Sequence, residues 1–270
     1  MLSMIIAIAT GLLIWAPLFF ANHAWLGGIL GVIAFLAVSA SLAFYVKKKM
    51  ELGFRLVQEH LMVIQQKTLQ KAKQMQMKGM SDPKAMQSLL EKDFHVGVRK
   101  AIAMLEELRP LYKWNFLVER QVNTMRAQLH YQIQEFDAAD KCLAKCLMLD
   151  PMVFGMAMAR AYQRDDLKKA EKLFKKGTGR FKDDKGAILY AAWSWCLVQE
   201  DRAQEAMELL AKVKDKCSSE VIKQNWEHLA NGRAAKFSNA GLGDAWYALQ
   251  LEQPKQMKAK APSYMRQRRG

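Results

Sequence analysis

The sequence predicts an all-α protein, with an N-terminal transmembrane helical hairpin followed by an α-solenoid of stacked helix pairs. Three observations carry that prediction. The first 46 of the 270 residues contain no Asp, Glu, Lys or Arg, so every such charge lies in residues 47–270. Only 15 Gly and 6 Pro occur, which leaves too few turn residues for a many-stranded β fold. Beyond residue 81, apolar positions recur at helical spacing in paired runs. The charged portion is long enough to bury a core of its own.

The hairpin occupies residues 1–46, with spans at about 1–21 and 25–46. Each holds roughly 20 apolar residues, enough to cross about 30 Å of hydrocarbon as a helix. Only Asn22-His23-Ala24 separates them, which dictates a tight turn. Trp15, Trp25 and Tyr45 lie near segment ends, where amphipathic rings favour the interface. The first segment lacks a basic leader and a second span follows at once, so it reads as a retained span rather than a cleaved signal. Lys47, Lys48, Lys49 and Arg55 follow the second span, and the hairpin loop has neither Lys nor Arg. The positive-inside rule then places both termini and the C-terminal domain in the cytoplasm. Gly27 and Gly31 form a GxxxG pair, which reads as close packing inside the hairpin or as a dimerisation face.

Residues 47–80 predict a basic juxtamembrane helix. Met50, Phe54, Val57, Leu61, Ile64 and Thr68 recur at steps of four and three, forming a heptad-like seam. Residues 47–100 carry twelve basic and five acidic side chains. The helix is expected to pack on the following domain, to pair with a second copy, or to lie along anionic headgroups; these readings are compatible.

Residues 81–253 predict the helical repeat domain. Ser81-Asp82-Pro83 is a helix start, with a capping side chain and proline at the first helical position. Leu89, Leu90, Phe94, Val98, Ile102, Leu105 and Leu108 then run at helical spacing to Pro110. In the unit from about Leu117 to Pro151, Ala127, Phe136, Ala139, Cys146 and Pro151 occupy spaced small, aromatic and proline positions. Small residues at these offsets let paired helices cross closely. On these residues the chain resembles the tetratricopeptide repeat (TPR) family. Two looser units follow, marked by Ala161, Tyr162, Leu167, Ala170 and Phe174, and then by Ala206. The early alanine of the second helix recurs at 139, 170 and 206, spacings that bracket the family repeat of about 34. The clearest repeats cover 114–216, and the resemblance implies a TPR-like α-solenoid. A helix at 218–230, and a short one from Asp244 through Leu251 after a Gly241–Gly243 turn, read as the cap that closes a repeat array. Residues 254–270, with six basic side chains and no acidic one, read as a disordered tail.

The sequence contains no P-loop, GxGxxG, HExxH or GxSxG motif. His23, His60, His95, His130 and His228 are scattered without ligand spacing. Cys142, Cys146, Cys196 and Cys217 form no CxxC pair. They read as small core residues of a reducing compartment, with a metal or redox role as the alternative. Cys142 and Cys146 are expected on one face of a helix. The pairs Glu106-Glu107 and Asp183-Asp184 are adjacent in sequence, so their side chains point apart on a helix. The expectation is a protein without enzymatic activity, cofactor or metal.

The net charge of +15 concentrates beside the membrane, in 151–200 and in the tail. Lys168, Lys169, Lys172, Lys175, Lys176 and Arg180 form a candidate basic ridge. It reads as a solvated face or as a site for an acidic protein segment, and no nucleic acid is expected. Lys47, Lys48, Lys49, Arg55, Lys168 and Lys172 are the candidate contacts to anionic surfaces. Repeat arrays bind peptides or proteins in a concave groove. Its candidate residues are Asn123, Arg126, His130, Arg160, Gln163 and Trp195. The expected function is a scaffold or adaptor that holds a protein or peptide partner at the cytoplasmic face. A self-assembling membrane protein, with a homodimer formed through the spans or the juxtamembrane helix, is the alternative, and an enzyme with an unrecognised site is a third reading. The layout resembles bacterial inner-membrane proteins that join a two-span anchor to cytoplasmic TPR repeats, including the type associated with haem biosynthesis. It also resembles single-span TPR adaptors of lipopolysaccharide assembly, but it lacks their paired CxxC motifs.

Overall fold

The computed structural model describes residues 2–21, 23–78 and 82–253, and among these the protein is helical with no strand. The tail from residue 254, Asn22 and Ser81 lie outside the described residues. The chain divides into two compact units between Met148 and Leu149.

The first unit contains α1 (Leu2–Phe20), α2 (Ala24–Met77), α3 (Pro83–Glu106), a 3-10 turn (Arg109–Leu111), α4 (Phe116–Gln132) and α5 (Phe136–Leu143). Helices α1 and α2 are long and apolar enough to cross a membrane. They pack antiparallel through the glycines. A Cβ on Gly31 would sit 2.9 Å from the Gly11 carbonyl oxygen, and one on Gly27 would sit 2.8 Å from Leu18 Cβ. The GxxxG pair is therefore taken up inside the hairpin.

The second apolar segment and the juxtamembrane helix are one helix. α2 runs 54 residues without proline, ~80 Å at 1.5 Å per residue. Its seam is spent on the chain itself. Met50, Phe54, Val57 and Leu61 pack with Val98, Ala101, Ile102 and Leu105 of α3, and Val118 and Val122 of α4 join the same core. Gly53 and Gly97 allow the close approach, because a Cβ there would meet Leu108 at 2.6 Å and Ile64 at 2.5 Å. Asp82 caps α3, accepting the Lys84 N–H at 2.9 Å.

The second unit contains α6 (Pro151–Gln163), α7 (Leu167–Arg180), a 3-10 turn (Asp183–Gly186), α8 (Ala187–Gln199), α9 (Ala203–Ala211), α10 (Glu220–Ala230), two further 3-10 turns (Ala234–Lys236 and Ala240–Leu242) and α11 (Asp244–Tyr247). α8 is central. Leu189 and every residue from Ala191 to Leu197 are buried, and α6, α7, α9, α10 and α11 pack around it. α11 is a single turn that ends at Tyr247, shorter than the helix through Leu251 that the sequence predicted.

One turn recurs. Residues Gln134, Asp165, Asp201 and Gly232 all have φ between 58° and 66°. At each, the following N–H reaches back five residues: Glu135 to His130 O, Asp166 to Ala161 O, Arg202 to Leu197 O and Arg233 to His228 O, at 2.7–2.9 Å. This is the Schellman closure of a helix C-terminus. It ends α4, α6, α8 and α10. The first three of these helices then fold back into α5, α7 and α9.

The loop after α10 is held by a buried amide pair. Asn225 Nδ2 donates to Asn239 Oδ1 at 2.8 Å, and Asn239 Nδ2 donates to the Ala191 carbonyl at 2.9 Å. The Ser238 N–H donates to Asn225 Oδ1 at 3.0 Å. Asn239→Ala strands the buried Asn225 Nδ2 donor, while the Ala191 carbonyl, inside α8, keeps Ser194 Oγ at 3.1 Å. The substitution is expected to cost about 1–3 kcal/mol, read as a lowered thermal midpoint in detergent.

Candidate functional site

α4 carries three of the predicted groove residues, and the structure separates them by burial. Asn123 is buried, 7% exposed. Arg126 and His130 are half-buried and engaged within the unit. Arg126 Nη2 pairs with Glu106 at 2.7 Å. His130 Nδ1 donates to Glu135 Oε2 at 2.8 Å, and Arg99 Nε donates to the other carboxylate oxygen at 2.8 Å. Burial pushes the Glu135 carboxyl up, but these two hydrogen bonds outweigh it and hold the group below the usual carboxylate range.

α6 and α8 carry the other three: Trp195 is buried beneath the C-terminal end of the described chain, Arg160 is half-buried and Gln163 is exposed. Arg160 Nη1 donates to Gln163 Oε1 at 2.7 Å, and Gln163 Nε2 donates to the Gln250 carbonyl at 3.0 Å. Trp195 Nε1 donates to Glu252 Oε1 at 3.0 Å, and Trp246 Nε1 donates to Glu252 Oε2 at 2.7 Å. The two indoles meet edge to face at 6.0 Å, and Tyr162 meets Trp195 at 5.7 Å. Leu249 lies on Gly155, where a Cβ would sit 2.9 Å from its Cδ2. Trp195 thus lies in a packed aromatic cluster rather than on an open surface. Burial, with a hydrogen bond to Glu200, pushes the Tyr162 hydroxyl up to about 12.

The candidate anionic-surface contacts do face outward. Lys47, Lys48, Lys49 and Arg55 are exposed on α2 just beyond its apolar stretch, with i,i+4 partners Glu51 and Glu59 at 3.7 and 3.8 Å. On α7, Ala170, Phe174 and Gly177 are buried, which turns Lys168, Lys169, Lys172 and Lys176 to the exposed side. Lys175 pairs with Glu171 at 2.5 Å.

An open groove of about 420 Å³ between α2 and α3 had no sequence signal. It is lined by Thr68, Met86, Gln87, Leu90, Glu91 and Phe94. Gln87 donates to Glu91 at 2.8 Å, so the groove's amide and carboxylate satisfy each other.

The cysteines sit apart from any ligand cluster; among the described residues no three His, Cys, Asp or Glu side chains gather as a metal set. Cys142 and Cys146 do not share a helix face, which corrects the expectation. α5 ends at Leu143, because the Leu147 N–H is taken by Thr124 Oγ1 at 3.0 Å across α4. Burial raises all four thiols and pushes Cys196 up to about 12. A thiol reagent at neutral pH is therefore expected to label Cys146 slowly, and the buried Cys142, Cys196 and Cys217 only after unfolding. Counting labelled thiols by mass before and after denaturant checks this. Of the adjacent acidic pairs, Glu106 serves Arg126, and Asp184 accepts the Ser218 N–H at 2.5 Å and its hydroxyl at 2.8 Å.

The fold and these surfaces define an all-helical protein with two membrane-competent helices and a series of helical hairpins. No protein-family model, no curated protein and no solved structure matches the chain.

Proposed function

We propose that the chain is a membrane-anchored, TPR-like scaffold without enzymatic activity, which holds a protein or peptide partner at the cytoplasmic face. The setting that its layout implies is a bacterial inner membrane. The observation that carries this reading is the continuity of α2. Its apolar half is built to cross a bilayer, and its other half packs into the core formed by α3 and α4. Anchor and helical domain are one piece of secondary structure, with no linker between them.

The repeat reading draws support from two features. The left-handed turns at 134, 165, 201 and 232 recur at spacings of 31, 36 and 31, near the family period of about 34. The small residues Ala127, Ala139, Ala161, Ala170 and Ala206 are all buried, 0–4% exposed, as close helix crossings require. In the second unit residues 246–252 lie against Gly155 and Gln163 of α6 and Trp195 of α8. The outward lysines of α7 are then the better candidate for a partner, one with an acidic segment.

Two measurements test the proposal. Full-length protein should sediment with membranes and resist extraction by alkaline carbonate; recovery in the supernatant would overturn the anchor. A partner captured from detergent-solubilised membranes should be lost when Lys168, Lys172 and Lys176 are changed to Glu. Retention would overturn the role given to α7.

A further inference from the structure

The first turn of α1 is tied to the turn that precedes α4. The Leu2 N–H donates to the Lys113 carbonyl at 2.9 Å, and Ser3 Oγ donates to the Trp114 carbonyl at 2.7 Å. Two residues on, α4 opens with Phe116 and Leu117, which are 52% and 37% exposed, whereas Val118 beside them is 2% exposed and sits in the core. That core also contains Val46, the residue before Lys47, and Leu111 and Trp114 pack against it. Both helices of the hairpin therefore end on the platform that carries Phe116 and Leu117.

The platform is basic and aromatic. Arg109, Lys113 and Arg120 are exposed, and the Arg120 guanidinium lies 5.9 Å from the Phe116 ring centroid. Lys47, Lys48 and Lys49 continue the charge along α2. The acidic residues nearest these in sequence are Glu51, Glu106, Glu107 and Glu119. Of these, Glu51 faces Lys47 and Glu106 is bound to Arg126.

We infer that Phe116 and Leu117, with Arg109, Lys113 and Arg120, form a second membrane contact, a lip that enters the headgroup layer of the bilayer crossed by α1 and α2. This rests on the membrane-spanning reading above. α1 has 19 residues, ~28 Å of helix, close to the ~30 Å of hydrocarbon. With α1 across the bilayer, Leu2 lies at the hydrocarbon edge, and its hydrogen bond places Lys113 there too. Phe116 follows Trp114 by two residues, at most ~7 Å of chain. The headgroup layer extends the bilayer by about 5–8 Å on each side. Phe116 and Leu117 thus fall inside it, where aromatic rings settle and where Lys and Arg meet anionic phosphates.

The test uses the full chain in phosphatidylcholine–phosphatidylglycerol nanodiscs, in a Cys146→Ser background, with single spin labels at Phe116→Cys, Leu117→Cys, Leu13→Cys or Val96→Cys. Leu13 is exposed within α1. Val96 is exposed on α3 beside Gly97, which meets Ile64, ~27 Å along α2 from Val46. Relative accessibility to oxygen and to a nickel chelate reads depth. Leu13 should report hydrocarbon, Val96 water, and both α4 labels an intermediate interfacial depth. Labels at 116 and 117 that match Val96, with Leu13 deep, overturn the lip alone. A Leu13 label that matches Val96 overturns the spanning reading and the lip together.

Discussion

Trp246→Ala is expected to destabilise the second unit by about 3–5 kcal/mol, the range for emptying a large aromatic site in a packed core. Trp246 has no exposed surface, stacks edge on against Trp195, and donates its indole N–H to Glu252 at 2.7 Å. Its removal leaves a cavity over α8 and frees one oxygen of a carboxylate that otherwise clasps two indoles. Residues 247–252 would then lose their hold on Gln163 and Gly155. Hydrogen exchange in α6 and α8 should rise, with a lowered thermal midpoint in detergent. Glu252→Gln keeps one acceptor and should cost only about 1 kcal/mol. Unchanged exchange in Trp246→Ala would mean that the segment is not an integral layer of the unit.

The second large effect is expected at the apolar hairpin. Gly31→Leu places a side chain where even a Cβ would lie 2.9 Å from the Gly11 carbonyl oxygen. The obstacle is main chain, so no rotamer change relieves it, and α1 must move off α2. Overpacking that side chains can absorb costs about 1–3 kcal/mol, and this substitution should reach the top of that range or exceed it. The readout is loss of the monodisperse species on size exclusion in mild detergent. Gly28→Leu is the control, because a Cβ at Gly28 meets nothing within 4 Å. Equal behaviour of the two variants would show that the glycine contact does not hold the hairpin.

Much of the architecture is legible in residue pattern, and the exceptions have physical causes. Forty-six uncharged residues mark the apolar hairpin, and the seam from Met50 to Thr68 marks the face that α3 covers. Asp82-Pro83 marks the start of α3. The end of α5 was not legible, because it depends on Thr124 of another helix capturing the Leu147 N–H. The turns at Gln134, Asp165 and Asp201 were also hidden, since non-glycine residues rarely adopt positive φ.

Among the groove candidates, Trp195 lies buried in an aromatic cluster, and its own sequence context carries a signal for that burial. The run Ala187–Gln199 is apolar around its whole circumference, the signature of a helix buried on every side. That signal places Trp195 inside without any structure. Nothing comparable announces the docking of residues 246–252. They follow two 3-10 turns and a single helical turn, too short to carry a period.

The unbroken α2 has a mechanical consequence. In the proposed membrane setting, a bilayer thinner than the apolar stretch makes the helix lean. From Val46 to Met77 the helix projects ~46 Å, so a lean of about 10° sweeps its far tip sideways by ~8 Å. α3 is bolted along that shaft, so the groove lined by Thr68 and Phe94 travels with it. In that setting the height and lateral position of this groove over the bilayer would follow the tilt of the apolar stretch.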